Sequence, residues 1–278
     1  MSRSLSECIR IASERFSAVS DSARLDAEVL LAWVLGKDRA YLFTWPEKIL
    51  DGEEQERFEA YVARRAQGEP VAYILGEKEF WSLPLYSEPS TLIPRPDTEV
   101  LVEQVLAQLP EQPQKILDLG TGTGAIALAL ASERKDCDVH AVDKMASAVQ
   151  LANKNVKRLN IQNVRIFQSD WFGAITEKYN VIVSNPPYID VNDKHLKQGD
   201  VKYEPKTALV AAENGLADIR YIADNAKAFL ILGGMLVFEH GYDQREAVQL
   251  IMAQAGYAGV TTEKDYHGQD RVTLGYFK

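Results

Sequence analysis

Ile116-Leu117-Asp118-Leu119-Gly120-Thr121-Gly122-Thr123-Gly124 is an apolar run that turns through three alternating glycines into the alanine-rich stretch Ala125–Leu130. Strand, tight loop and helix are its natural reading. Glycine has no Cβ and tolerates positive φ, so a ligand can lie close against the backbone of such a loop. The spacing is G-x-G-x-G. It differs from the G-x-G-x-x-G dinucleotide fingerprint, and the Lys-Ser/Thr ending of a phosphate loop is absent.

Downstream the same alternation continues. Strands are expected at Lys115–Leu119, Val139–Val142, Val164–Gln168 and Val181–Ser184, with helices from Ala125 and Ala146. A helix over Ala217–Leu232, a strand at Met235–Glu239, a helix over Gln244–Ala255 and two β-rich runs, Gly259–Glu263 and Arg271–Phe277, complete it. Alternating strands and helices predict an α/β fold with a mostly parallel sheet covered on both faces. The short link between the last two runs predicts an antiparallel pair at one edge.

Upstream of Pro113 the character differs. Pro94, Pro96 and Asp97 lead into a helix expected over Asp97–Leu109, with Asp97 and Glu99 favouring its start. Phe80–Tyr86 reads as extended, proline-punctuated chain. The first 75 residues read as helices. Ser20-Asp21 offer caps and Gly36 a stop for Ala23–Leu35, whose Leu25, Val29, Ala32 and Trp33 are expected to form the buried stripe. A second helix runs from about Glu53 to Ala66, and Trp33, Phe43, Trp45 and Phe58 are expected in its bundle core. The predicted organisation is a helical bundle at 1–75, a hairpin-like linker at 76–96 and an α/β domain at 97–278.

Composition narrows the function. The net charge is −9, with 11 basic and 16 acidic residues in 1–90 and 20 and 24 in 91–278, so neither part has the basic excess of a nucleic-acid clamp. No run reaches the roughly 20 apolar residues of a membrane span, and residues 1–10 hold no apolar signal core, so a cytoplasmic protein is expected. Cys8 and Cys137 are read as free thiols, and His140, His195, His240 and His267 lack metal-ligand spacing.

Function gathers at the carboxyl ends of the expected strands, where open α/β sheets bind ligands. Asp143 closes the second strand 23 residues after Gly120, near the offset at which a carboxylate meets ribose hydroxyls. Asp170 and Trp171 follow the third strand and suit an adenine amino group and ring. Asn185-Pro186-Pro187-Tyr188 follows the fourth. Its prolines fix the backbone and remove two N–H donors, leaving an acceptor-rich rim. Such a rim suits a planar –NH2 whose lone pair is delocalised. Two bonds, to the Asn185 side-chain oxygen and the Pro186 carbonyl, draw that nitrogen toward tetrahedral geometry and aim its lone pair at an electrophilic group of a ligand held in the crevice. Tyr188 is expected to stack on the planar group. No general base or metal is required, because the nitrogen becomes strongly acidic only after attack.

These motifs, with Gly68-Glu69-Pro70, Glu79-Phe80-Trp81, Leu92–Glu99 and Asp270-Arg271-Val272, resemble the protein-(glutamine-N5) methyltransferases of the HemK/PrmC family nearly end to end. The resemblance implies a class I, Rossmann-like, S-adenosylmethionine-dependent methyltransferase domain with a seven-stranded sheet. It implies a cofactor site at Gly120, Thr121, Gly122, Thr123, Gly124, Asp143, Asp170, Trp171 and Asn185, and a substrate site at Asn185, Pro186, Pro187 and Tyr188. The implied substrate is the glutamine of the Gly-Gly-Gln motif in class I peptide chain release factors, docked by the helical bundle, with Arg95 or Glu99 near the junction. Lys194, Lys197, Lys202 and Lys206 lie beyond the tetrapeptide and read as a solvated loop. Asn-Pro-Pro-Tyr sites also occur in enzymes that methylate adenine N6 or guanine N2 of nucleic acids, so that reading stays open.

Overall fold

The computed structural model describes residues 3–278. They form two compact units, one made of the chain up to Glu77 with Lys194–Tyr203, the other of Lys78–Asp193 with Glu204–Lys278. The sequence reading differs in two places: it assigned Lys194–Tyr203 to the α/β domain, and it set residues 76–96 apart as a linker where the chain from Lys78 belongs to the second unit.

The first unit is helical: α1 (Leu5–Phe16), α2 (Ala23–Leu35), α3 (Arg39–Thr44), α4 (Gly52–Ala66) and α5 (Val71–Leu75). Capping boxes start α1, through Ser4 and Glu7, and α4, through Asp51 and Glu54. Each satisfies two amides that the first helical turn leaves open. Ser20 and Ser22 do not cap α2; both hydroxyls donate to the Asp26 carboxylate, at 2.7 and 3.0 Å.

The expected stripe on α2 is borne out in part: Ala32 is buried and Val29 half-buried, but the buried face is wider and turned away from the rest. Leu25 and Trp33 are exposed, while Ala27, Leu30, Leu31 and Val34 are buried. The helix is apolar nearly all round, so period alone cannot choose its inner face. The choice hides two carboxylates, Asp26 and Glu28, on or beside the buried side. Both are paired: Arg65, itself buried, bonds Asp26 at 2.8 Å and Asp200 at 2.9 Å, and Glu28 takes Arg24 and Arg39. Burial pushes the Glu28 carboxyl up, but hydrogen bonds from Arg39 and Arg24 outweigh it and the net shift is downward. Of the aromatics assigned to the core, Phe58 is buried, whereas Trp33, Phe43 and Trp45 are exposed.

The second unit opens with a hairpin, β1 (Glu77–Phe80) and β2 (Leu83–Tyr86), whose two-residue turn holds Trp81 and Ser82 at φ 52° and 58°. Non-glycine residues take that conformation at a cost, and here the turn is tied down. The Trp81 amide donates to Glu99 and its indole N–H to Glu133, both at 2.8 Å. Glu99 is therefore occupied in holding the hairpin. The helix expected from Asp97 begins later: a 3-10 turn covers Pro96–Thr98, then α6 runs over Glu99–Gln108. Asp97 makes no cap, because Pro96 imposes the tighter turn first.

The remaining elements are β3 (Lys115–Leu119), α7 (Ala125–Glu133), β4 (Asp138–Asp143), α8 (Ala146–Leu159), β5 (Val164–Gln168), β6 (Tyr179–Ser184), the single turn α9 (Ala212–Gly215), α10 (Ala217–Ala226), β7 (Leu230–Glu239), α11 (Arg245–Gln254), β8 (Tyr257–Lys264) and β9 (Asp270–Phe277). Seven strands lie in the order β5-β4-β3-β6-β7-β9-β8, all parallel except β9, which is antiparallel to both neighbours. The helix expected over Ala217–Leu232 stops at Ala226, and β7 starts at Leu230. An unbroken apolar run reads equally as helix or strand. Gly233, at φ 79°, marks the irregular start of β7.

Side chains of each strand alternate between two cores. Ile116, Val139, Val181, Val183 and Val237 meet α6 and α7, whereas Leu117, Leu119, Ile182 and Leu236 meet α10 and α11. Cys8 and Cys137 are buried free thiols.

Candidate active site

The carboxyl ends of β3, β4 and β6 open on a cavity of about 400 Å³. The order of the strands explains why. Chain leaving β3 turns toward β4, chain leaving β6 toward β7, and the loops part at the point where the order reverses.

The glycine loop builds one wall from its own turn and from the end of β4. The amides of Gly120 and Thr121 both donate to Val142 O at 2.9 Å, that of Gly124 donates to Thr121 O at 2.8 Å, and the Thr121 hydroxyl donates to Asp118 at 2.6 Å. Gly120, Gly122 and Gly124 all have positive φ. A Cβ on Gly120 would lie 3.6 Å from the Trp171 ring, in the slot between loop and ring. Buried Asn155 ties this wall to the hairpin, donating to Thr123 O at 2.9 Å and accepting from the Tyr86 amide at 2.7 Å. Burial pushes the Asp118 carboxyl up to about 7 against the pull of the Thr121 hydroxyl and the Ala127 amide.

Asp143 stands beside the glycine loop, at the end of the neighbouring strand β4. Its oxygens accept from the Gly122 amide at 2.9 Å and the Met145 amide at 2.8 Å, which fixes the carboxylate and leaves further lone pairs for a ligand. Burial raises its pKa, and the amides of Met145, Gly122 and Lys144 oppose the shift. Asp170 also lines the cavity, half-exposed and paired with Lys144 at 2.8 Å, and Trp171 lines it at φ 47°. Asp218 adds a carboxyl that burial pushes up, Lys144 lowers and Asp170 raises. Carboxylates on several sides and glycines on another suit a ligand that carries hydroxyls, a flat ring and positive charge.

The tetrapeptide adds to the lining from the end of β6, and it is held from distant parts of the chain. Asn185 and Pro187 line the cavity; Pro186 is buried and Tyr188 lies outside the lining. The Asn185 amide nitrogen donates to the Thr98 hydroxyl at 3.3 Å, so its oxygen is the end not spent on Thr98. The Tyr188 hydroxyl donates to buried Glu239 at 3.2 Å, and the Tyr188 carbonyl accepts from Gln244 at 3.0 Å. That phenol is engaged, which differs from the stacking role expected of it; burial and the nearby Glu239 charge raise its pKa. Behind the carbonyl lies Gly215, at φ 83°, where a Cβ would sit 2.0 Å from the Tyr188 oxygen. The chain beyond is pinched by a bridge between Ile189 and Val210.

Of the residues expected at the site, Gly120, Thr121, Gly122, Thr123, Asp143, Asp170, Trp171, Asn185 and Pro187 share this cavity, and Gly124 packs instead against Leu128 and Ala152. Arg95 lines it too, ion-paired to buried Glu204. Sequence reasoning missed Thr98 and Glu239. Glu239 closes an expected strand, the same signal that singled out Asp143.

Fold and crevice define a class I methyltransferase dependent on S-adenosylmethionine. Release factor glutamine methyltransferases of Salmonella typhimurium, Vibrio cholerae and Escherichia coli are 56%, 55% and 55% identical to this chain over 93%, 100% and 93% of its length and 94%, 98% and 94% of theirs. The chain belongs to the release factor glutamine methyltransferase family. The family described as PrmC N-terminal domain matches residues 7–76, and Methyltransferase small domain matches residues 96–200. Among solved structures, a methyltransferase from Pyrococcus furiosus shares the fold with a TM-score of 0.55 at 21% identity, over 78% of this chain and 96% of that one. A 16S rRNA N2 methyltransferase of T. Thermophilus, solved with AdoMet and guanosine, does so with a TM-score of 0.54 at 19% identity, over 73% of this chain and 50% of that one.

Proposed function

We propose that this chain methylates the side-chain nitrogen, N5, of the glutamine in the Gly-Gly-Gln motif of class I peptide chain release factors, and so supports translation termination. The observation that carries the reading is the Asn185 amide, held by Thr98, in the same cavity that the glycine loop lines. The name shared by relatives at 55–56% identity over nearly the whole chain supports the substrate.

S-adenosylmethionine supplies, when bound, an electrophilic methyl on a sulfonium. The glycine loop, Gly120–Gly124, is assigned the cofactor's backbone, Asp143 its ribose hydroxyls, and Asp170 with Trp171 its adenine. Asn185 Oδ1 and the Pro186 carbonyl each accept one N–H of the glutamine amide. A carboxamide nitrogen is a weak nucleophile because its lone pair is delocalised; two acceptors that hold both hydrogens turn the lone pair out of conjugation. Acceptors fixed in advance favour charge that builds on nitrogen and cost no reorganisation during reaction. Pro187 shapes the rim, and Tyr188 anchors the tetrapeptide through Glu239 where stacking was expected of it. The extra proton leaves the nitrogen after transfer.

The helical unit is assigned to recognition of the release factor, and the domain limits 1–75, 76–96 and 97–278 are retained as functional divisions. Among the described residues no helix is long and apolar enough to cross a membrane. We assign the reaction to the cytoplasm, where translation factors work, with no nucleic acid as direct substrate.

Purified enzyme with labelled S-adenosylmethionine and unmodified release factor is expected to label the factor, and replacing the Gly-Gly-Gln glutamine by alanine to abolish the label. Label entering nucleic acid and never the factor would instead support the adenine-N6 or guanine-N2 reading.

A further inference from the structure

We infer that Arg95 binds the α-carboxylate of S-adenosylmethionine, and that buried Glu204 is the positioning residue that holds the Arg95 guanidinium at the cavity. This rests on the cofactor placement proposed above, with the glycine loop along the cofactor's backbone and Asn185 beside its methyl.

The cofactor carries an amino acid as well as a nucleoside and a sulfonium. Its carboxylate enters a crevice already lined by the carboxylates of Asp143, Asp170 and Asp218. Among the described residues of that lining, only Lys144 and Arg95 bring positive charge to offset it. Lys144 is spent on Asp170 at 2.8 Å, beside the groups assigned to adenine. Arg95 stands at the other end. The chain from Thr91 to Thr98 runs between the two groups that bracket the reacting sulfur: a Cβ on Gly122 would lie 4.0 Å from Thr91 Cβ, and the Thr98 hydroxyl accepts from Asn185 Nδ2 at 3.3 Å. Arg95 lies on this span and lines the same cavity. The amino-acid tail branches from that sulfur, which brings its carboxylate toward Arg95 and away from Lys144.

The side chain is held for such a duty. Arg95 is extended, at φ −100° and ψ 143°, and the flanking Pro94 and Pro96 restrict the backbone around it. Its Nη2 donates to Glu204, whose side chain is fully buried and whose other oxygen accepts from the Ile93 amide at 3.3 Å. A guanidinium presents five N–H donors in a planar fork, so one arm can be anchored while others meet a ligand. The Arg95 side chain stays 32% exposed at the cavity. A carboxylate matches such a fork with two parallel bonds, a fit that a lysine ammonium does not give.

Dissociation constants of S-adenosylmethionine and of decarboxylated S-adenosylmethionine, which lacks only the carboxylate, are measured by calorimetry on the full chain, together with melting midpoints. The proteins are wild type, Arg95→Met, Glu204→Gln and the double variant Arg95→Met/Glu204→Gln. Wild type is expected to prefer S-adenosylmethionine about 10-fold or more. Arg95→Met and the double variant are expected to bind the two compounds within about 3-fold of each other, and the decarboxylated one within about 3-fold of wild type. Glu204→Gln, with Arg95 in place, loses about 3-fold or more of the preference. The double variant leaves no buried carboxylate without its cation and carries the test should Arg95→Met not fold. A wild-type preference that survives in Arg95→Met and the double variant overturns the inference, as does an equal loss of both compounds with a lower melting midpoint. Unchanged cofactor binding with a raised KM for the release factor also overturns it and moves Arg95 to the protein substrate. Full preference in Glu204→Gln removes the positioning role. Wild type that binds both compounds equally has no carboxylate site, and wild type that binds neither ends the cofactor placement itself.

Discussion

The two walls of the crevice are built in opposite ways. The glycine wall is held by its own turn and by the strand beside it: Gly124 bonds to Thr121 and Thr121 to Asp118 three residues back, while Gly120, Thr121 and Gly122 bond to Val142 and Asp143 at the end of β4. The tetrapeptide wall makes almost nothing of its own. Thr98, Glu239, Gln244 and Gly215 hold it, and they come from a 3-10 turn, the end of β7, the start of α11 and the end of α9. The cradle leans on one neighbouring strand end and a helix side chain, whereas the rim is held from four separate elements.

If this contrast is right, the tetrapeptide wall breaks from a distance. The largest effect is expected for Gly215→Ala, which puts a Cβ 2.0 Å from the Tyr188 carbonyl oxygen at φ 83°. We expect destabilisation of about 3 kcal/mol or a displaced tetrapeptide, with turnover down at least about 100-fold. The glycine-wall counterpart, Gly124→Ala, meets the flexible Leu128 side chain at 3.1 Å. It is expected to cost about 1–2 kcal/mol and to leave the transfer rate of the folded enzyme within about 5-fold. Urea melts and single-turnover rates on both proteins check the pair; equal damage to the rate by both would remove the distinction.

A smaller effect sharpens the local wall. The folded Asp118 carboxyl titrates near 7, against 3.8 for the ordinary group. The folded state therefore holds a proton that the unfolded chain releases, and this contribution to stability is complete below 3.8 and lost as pH rises through about 7. Asp118→Asn is expected to flatten that slope in denaturant melts taken from about pH 4 to pH 8. An unchanged slope would show that Asp118 is ionised throughout.

The same contrast explains what could be read in the sequence. Gly120–Gly124 and Asp143 were legible because period, glycine spacing and strand ends are local signals. Asn185 was legible for its place after β6. Tyr188 was only half legible: its position is fixed by sequence, but its bond to Glu239, 51 residues on, is not. Thr98 sat inside a segment read as a helix start, where its hydroxyl would have been taken for a cap. In the helical unit, α2 buries Ala32 as expected but leaves Leu25 and Trp33 exposed and turns Asp26 and Glu28 inward, where Arg65 and Arg39 pair them. Long-range ion pairs leave no trace in a window of one helix.

The most direct test of divided duties is to measure, side by side, cofactor dissociation constant and single-turnover rate at saturating cofactor for Asp143→Ala and Asn185→Ala. Asp143→Ala is expected to weaken cofactor binding about 10-fold or more with a rate near wild type, and Asn185→Ala to slow transfer about 100-fold or more with affinity held within an order of magnitude. Undiminished turnover in Asn185→Ala, or the same loss of affinity and rate in both variants, would contradict the account.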